Sequence, residues 1–195
     1  PITARTMISS INVTPNDFKL FTQSVFSNHK AILALEWIPR ITTINRSFYE
    51  QLLGSGFAIR AADGKQGMQP VSLRSEYFPI AYVEPFQGNE RAFGFDISTN
   101  QMAYQAIQMA RNTGETTVTD IIHMVQDPEK RPGIVIYSPV YLPHKTLYTP
   151  EQRRQYLQGI VASVLLVNNE VNEVKRHFDN LQILLKITDE GVELF

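Results

Sequence analysis

The sequence predicts an α+β protein. Two Thr-Pro steps, Thr14-Pro15 and Thr149-Pro150, each open a helical pattern. Ile134–Tyr141 returns after a polar turn as the second strand of an antiparallel hairpin. Gly159–Val167 is apolar on both faces, as a buried central strand must be.

The elements follow in order. Threonine at 14 caps, Pro15 suits the first helical position, and Asp17 faces the positive end of the helix dipole. Phe18, Phe21, Val25, Phe26, His29 and Ile32 continue at helical spacing, so the helix is expected to reach Glu36-Trp37, where Pro39 ends it. A second helix is read from about Thr42 to Leu53, with Ile41, Ile44, Phe48 and Leu52 inward and Gly54-Ser55-Gly56 as its stop. Phe57–Arg60 reads as a short strand and Ala62–Pro70 as a polar loop.

Tyr77–Asp96 is the most informative stretch. A strand ends at Glu84-Pro85, a polar turn Gln87-Gly88-Asn89-Glu90 follows, and a second apolar run delivers Asp96 to a helix mouth. Ser98 or Thr99 then caps a third helix, with Met102, Ala106 and Met109 or Ala110 inward and Gly114 as its stop. Thr116–Met124 alternates weakly as a strand, and Asp127–Gly133 is the turn to Ile134–Tyr141. The first half thus holds helices and an antiparallel sheet of about five strands. Beyond the Pro-containing loop Leu142–Thr149, the capping box Thr149-Pro150-Glu151-Gln152 starts a smaller α+β unit. It contains the strand 159–167, a helical stripe Val167, Val171, Val174 and Phe178, the strand Leu181–Ile187, and a turn at Asp189-Glu190-Gly191 into a last strand.

Composition narrows the function. The chain has 195 residues, enough for one large domain or two small ones. Its net charge of −1, with Lys and Arg scattered, argues against a nucleic-acid or anionic-membrane surface. There is no cysteine, hence no disulfide, thiol nucleophile or thiolate metal site. The four histidines lie far apart in sequence, so neither a metal nor a cofactor is expected. No P-loop, Gly-x-Ser-x-Gly elbow or His-Glu-x-x-His motif occurs, and an enzyme reading has little support. The densest apolar run is under half of the ~20 residues that span a bilayer. The start on Pro1 and the strand-like end Val192–Phe195 suggest a fragment of a longer protein whose membrane segments lie outside it.

Read from the residues alone, Asp96 is either a local cap or an anchor for a ligand. A carboxylate in an apolar pocket is costly unless a donor or cation pairs with it. Tyr82 and Tyr137 are able to stack a flat ligand or simply fill the core, and Met124 suits a pocket wall or core filling. Glu84 is either a second polar pocket group or the solvent end of a strand, His123 is a surface or core histidine with pH sensing as its other reading, and Trp37 and Arg40 read as packing and hinge residues at the proline.

An ordered set of segments resembles a known family. Glu36-Trp37-Ile38-Pro39-Arg40 comes first, then Arg46 with Phe48-Tyr49-Glu50. Glu76–Pro85 follows, with Gly88-Asn89-Glu90, then Gly94-Phe95-Asp96-Ile97 and Ala110–Gly114. Thr119, Val125-Gln126 and Pro139-Val140-Tyr141 complete the series. In this order they resemble the CHASE domain, the extracytoplasmic sensor module of receptor histidine kinases, diguanylate cyclases and related receptors.

The resemblance implies a long N-terminal helix and two PAS-like subdomains with antiparallel sheets. They would divide the chain into a stalk and helix at 1–41, a membrane-distal ligand-binding subdomain at 42–141 and a membrane-proximal one at 142–195. It implies the periplasmic or extracellular portion of an inner or plasma membrane protein, a homodimer through the N-terminal helix, and membrane contact only through flanking helices. In plant cytokinin receptors of this family an aspartate binds the ligand; Asp96 matches it by motif, and Val118-Thr119 match a leucine–threonine pair there. The expected ligand site is therefore Asp96, Val118, Thr119, Tyr82, Met124 and Tyr137, holding a small donor-bearing organic molecule. The alternative is a ligand-independent interaction or dimerisation module.

Overall fold

The computed structural model describes residues 13–29, 32–54, 56–63, 67–127 and 129–166, and the backbone of 188–189 and 192–193. The expected N-terminal stalk, the helical stripe 167–178 and the strand 181–187 lie outside the described residues.

The architecture is α+β, as expected, with antiparallel strands throughout the sheets. Helix α1 spans Pro15–Asn28 and starts on a capping box in which Thr14 and Asp17 satisfy each other's backbone amides. It ends earlier than the spacing suggests: His29 is extended, and Ile32–Pro39 forms strand β1. The run Ile32–Ile38 is apolar on both faces, and pairing on both edges with layers above and below rewards a strand more than a longer helix. β2 (Ile41–Thr42) follows.

The second helix is also shorter. α2 covers Arg46–Leu52 and buries none of its residues; Ile44 is 97% exposed, and Phe48 and Leu52 are each 59% exposed, so the expected inward stripe faces out. Only Ile41 of that stripe is buried, from β2. Strands β3 (Arg60–Ala62) and β4 (Met68–Pro70) pair as a hairpin, and β5 (Glu76–Tyr77) pairs with β2. Phe57 and Ile59, expected in the strand, are buried just before it.

β6 (Tyr82–Glu84), α3 (Gln101–Thr113), β7 (Thr117–Val118), β8 (Ile122–His123), β9 (Pro132–Tyr141), α4 (Pro150–Tyr156) and β10 (Leu157–Leu166) complete the body. The main sheet has the order β6-β1-β10-β9-β7, with β8 also on β9. β10 therefore lies between β1 and β9, the central place its two-faced apolar pattern requires. The strand expected in the unit 142–195 pairs with strands from 1–41 and 42–141, so one sheet runs across both expected boundaries. Backbone at 188–189 pairs antiparallel with 192–193, around the expected turn.

Two layers cover the sheet. On one face, Ala103, Ala106, Ile107 and Ala110 of α3 pack against Ala34, Ile38, Tyr137, Ile160, Ala162 and Val164. Of the residues expected inward on α3, Ala106 and Ala110 are buried, whereas Met102 and Met109 are 43% and 61% exposed. Asn100, not Ser98 or Thr99, caps this helix, and Gly114 ends it at φ +82°, the left-handed conformation glycine adopts without strain. On the other face, Phe18 and Val25 of α1 pack on Leu35, Trp37, Val140 and Val161. Among the described residues no helix is long and apolar enough to cross a membrane.

Candidate functional site

β1 alternates between the two layers, so Leu35 and Trp37 face α1 while Ala34, Glu36 and Ile38 face α3. Sheet register then fixes Glu36's neighbours. Val83, Glu36, Ala162 and Tyr137 stand opposite one another along one row across β6, β1, β10 and β9. Ala162 adds only a methyl group between Glu36 and Tyr137, whose Cα positions are about 10 Å apart at two strand spacings.

A cavity of about 320 Å³ opens beside this row. Its buried lining is Glu36, Gln126, Asp127 and Tyr137 together with Ile80, Phe95, Ile97, Ala103 and Met124. The exposed residues Ala62, Arg91, His123 and Lys130 mark its opening. The volume lies at the lower end of small-molecule sites, and its apolar walls are shared with polar side chains, Glu36, Asn100, Gln126 and Asp127 besides those at the opening.

Glu36 is the chemically distinctive group. It is 2% exposed, and its Oε1 accepts a hydrogen bond from the Gln126 amide at 3.1 Å. Burial pushes its carboxyl up to about 7, and the Gln126 bond draws it only partly back. Burial and the nearby Glu36 charge both raise the Tyr137 hydroxyl, which therefore stays neutral. Asp127 differs: Arg131 grips it through Nη2 at 2.8 Å, Nε at 3.2 Å and the backbone amide at 2.7 Å, and holds it below the usual carboxylate range. Glu36 was visible in sequence as the one acid inside Ile32–Ile38, but there it read as a helix end.

The residues expected from sequence divide into three groups. Met124 and Tyr137 line the cavity. Asp96 is fully buried between two lining residues, Phe95 and Ile97. Its Oδ1 accepts from Phe78 N at 2.9 Å and Ser98 N at 3.1 Å, so the cap geometry is present. Its Oδ2 accepts no hydrogen bond among the described residues. Val118, Thr119 and Tyr82 stand apart from the cavity lining. Val118 is 53% exposed because β7 pairs only with β9 at that edge. Thr119 exchanges bonds with Val135: its Oγ1 accepts from Val135 N and its N–H donates to Val135 O, both at 3.0 Å. Tyr82 turns to the opposite face, where its hydroxyl donates to Val13 O at 3.1 Å and its ring packs on Phe18.

The remaining polar candidates are structural. Arg40 pairs with Glu76 at 2.9 Å, Trp37 packs under α1, and Glu84 pairs in register with Leu35. Among the described residues no group of three His, Asp or Glu side chains is placed to hold a metal ion.

Comparison with known proteins agrees with this arrangement of segments. Hybrid signal transduction histidine kinase A of Dictyostelium discoideum is 22% identical over 173 residues, covering 83% of this chain and 8% of the kinase. The chain thus spans a small part of that relative's length. A family model described as CHASE domain matches residues 11–193. On that match, across nearly the whole sequence, the chain belongs to the CHASE domain family of receptor sensor modules.

Proposed function

We propose that this sensory, non-catalytic domain is the extracytoplasmic ligand-binding part of a membrane signalling receptor, and that its cavity takes a small organic molecule with a hydrogen-bond donor. One observation carries the reading. Glu36 lies buried against the cavity, held by a single neutral amide, and a ligand donor is what its carboxyl lacks. Phe95, Met124 and Tyr137 supply apolar walls, and Asp96 fixes the segment that carries Phe95 and Ile97. The membrane-distal PAS-like subdomain, 42–141, would supply every lining residue of the cavity except Glu36.

Signal transfer follows from β1. Glu36 points to the cavity while its neighbours Leu35 and Trp37 pack on α1, so a ligand pulling on Glu36 shifts β1 under α1. A helix displaced in this way would pass the change to a receptor dimer and a cytoplasmic kinase or cyclase.

A thermal-shift screen of small donor-bearing molecules tests this. A ligand present at a hundredfold its Kd stabilises the chain by about 2.7 kcal/mol. Ala103→Leu, which fills the cavity from α3, should cancel the gain. Failure of every compound, or a gain that Ala103→Leu leaves intact, sinks the reading. A ligand-independent dimerisation module is the second reading, favoured by the exposed stripe Ile44, Phe48 and Leu52. Sedimentation equilibrium of Phe48→Glu decides it: a dimer that persists in the variant removes the stripe from consideration.

A further inference from the structure

We infer that the preferred occupant of the cavity is a monovalent ammonium, a primary or secondary amine attached to a compact apolar body. The inference rests on the proposed reading of the cavity as a ligand site, and it names the chemistry that the site selects.

Charge balance is the first argument. Two acids line the cavity, and Asp127 already has its cation in Arg131. Glu36 has the neutral Gln126 amide, which fills one of its roughly four acceptor positions and cancels no charge. A buried carboxylate is stable when a cation sits against it, and far less so beside a neutral donor. An arriving ammonium brings both the donors and the charge.

The walls point the same way. The rings of Phe95 and Tyr137 line the same cavity, and aromatic faces attract a cation through their quadrupole. Ile80, Ile97, Ala103 and Met124 give hydrocarbon walls to the space, with the Asn100 amide beside them. The opening selects for a single charge, because the Lys130 ammonium stands there. A second ammonium at that end would meet like charge in a confined space.

The groups facing Glu36 are Gln126, bonded to it, and Tyr137 along the sheet row, neither of which titrates near neutrality. The other charged or titratable groups of the lining are Asp127, held by Arg131, and Arg91, His123 and Lys130 at the opening. An amine must therefore bind more weakly once Glu36 is protonated, by about tenfold between pH 8 and pH 6.

The experiment is calorimetric titration of the chain with phenethylamine, phenethyl alcohol, hydrocinnamate, cadaverine and adenine at both pH values. Phenethylamine should bind at least tenfold more tightly than any of the others at pH 8 and lose about tenfold at pH 6. Glu36→Gln, close to isosteric, should remove that preference and the pH dependence, while His123→Gln should keep both. Adenine or the alcohol binding as tightly as the amine overturns the ammonium inference. If Ala103→Leu then abolishes their binding, the cavity stands as a ligand site for a neutral molecule. No binding by phenethylamine, or amine binding unchanged in Glu36→Gln, also overturns it.

Discussion

Two glutamates, Glu36 and Glu76, occupy the same fold and meet opposite fates. Glu76 on β5 is gripped by Arg40 from one side and Arg111 from the other, at 2.9 Å and 2.7 Å. Burial works to raise its carboxyl, but the two guanidinium groups outweigh burial and hold it below the usual carboxylate range. Glu36, more fully buried than Glu76, has an amide and a cavity instead. The difference is what surrounds each acid once the sheet closes. One carboxylate is a rivet between β5 and α3; the other lies against a cavity with one neutral donor.

The largest effect should come from breaking the rivet. Glu76→Ala leaves Arg111, whose side chain is 9% exposed, without its counter-charge. We expect a loss of about 4 kcal/mol, read from urea denaturation at neutral pH. A loss below about 1 kcal/mol would place the pair with ordinary surface ion pairs and erase the contrast.

Glu36→Gln should act with the opposite sign. A carboxyl whose folded value is raised from 4.5 to about 7 contributes stability that is present below the lower value and lost as pH rises to the upper one. The wild-type chain should therefore weaken across that window, and the variant should gain on the order of 3 kcal/mol at pH 8 and little at pH 4. Parallel pH profiles for the two proteins would show that Glu36 is already satisfied.

Asp96 sharpens the comparison from a third position. Asp96→Ala strips the acceptor from two backbone amides, one of them buried, and should cost about 2 kcal/mol by thermal denaturation. Asp96→Asn keeps an acceptor and should cost about half as much. Equal losses would mean that the charge, rather than the cap, is what the segment needs. Smallest of all, Val118→Ala at an exposed edge should change stability by under about 0.5 kcal/mol and leave any ligand response untouched.

Legibility in the sequence followed how local each signal is. The capping boxes at Thr14 and Thr149 and the stop at Gly114 need only neighbouring residues, and each is present. The strand 157–166 was readable because its apolar run has no polar face to mislead. β1 was not, since Ile32 extends the helical spacing of Phe18, Val25 and His29 by coincidence, and only pairing with distant strands decides the matter. For the same reason Glu36 escaped notice while Asp96 did not. Asp96 announces itself by its position before Ser98 and Thr99, whereas Glu36 acquires its character from Ala162, Tyr137 and Gln126, none of them near it in sequence. The inward face of α3 is half legible: alanines at 106 and 110 are buried as expected, but Met102 and Met109 are exposed while Ala103 and Ile107 take the inward places.

The place of β10 between β1 and β9 has a kinetic consequence. Ile32 pairs with Leu165, so the sheet joins the two ends of the described body only after nearly all of it has been made. Until then β1 and β9 both present unpaired inner edges, and the loop to be closed is long. Such a topology folds slowly for its size, and a nascent or truncated chain lacking that strand would expose two apolar edges to aggregation. Sensitivity to any lesion that delays the arrival of Leu157–Leu166 is thus built into the order in which this sheet is threaded.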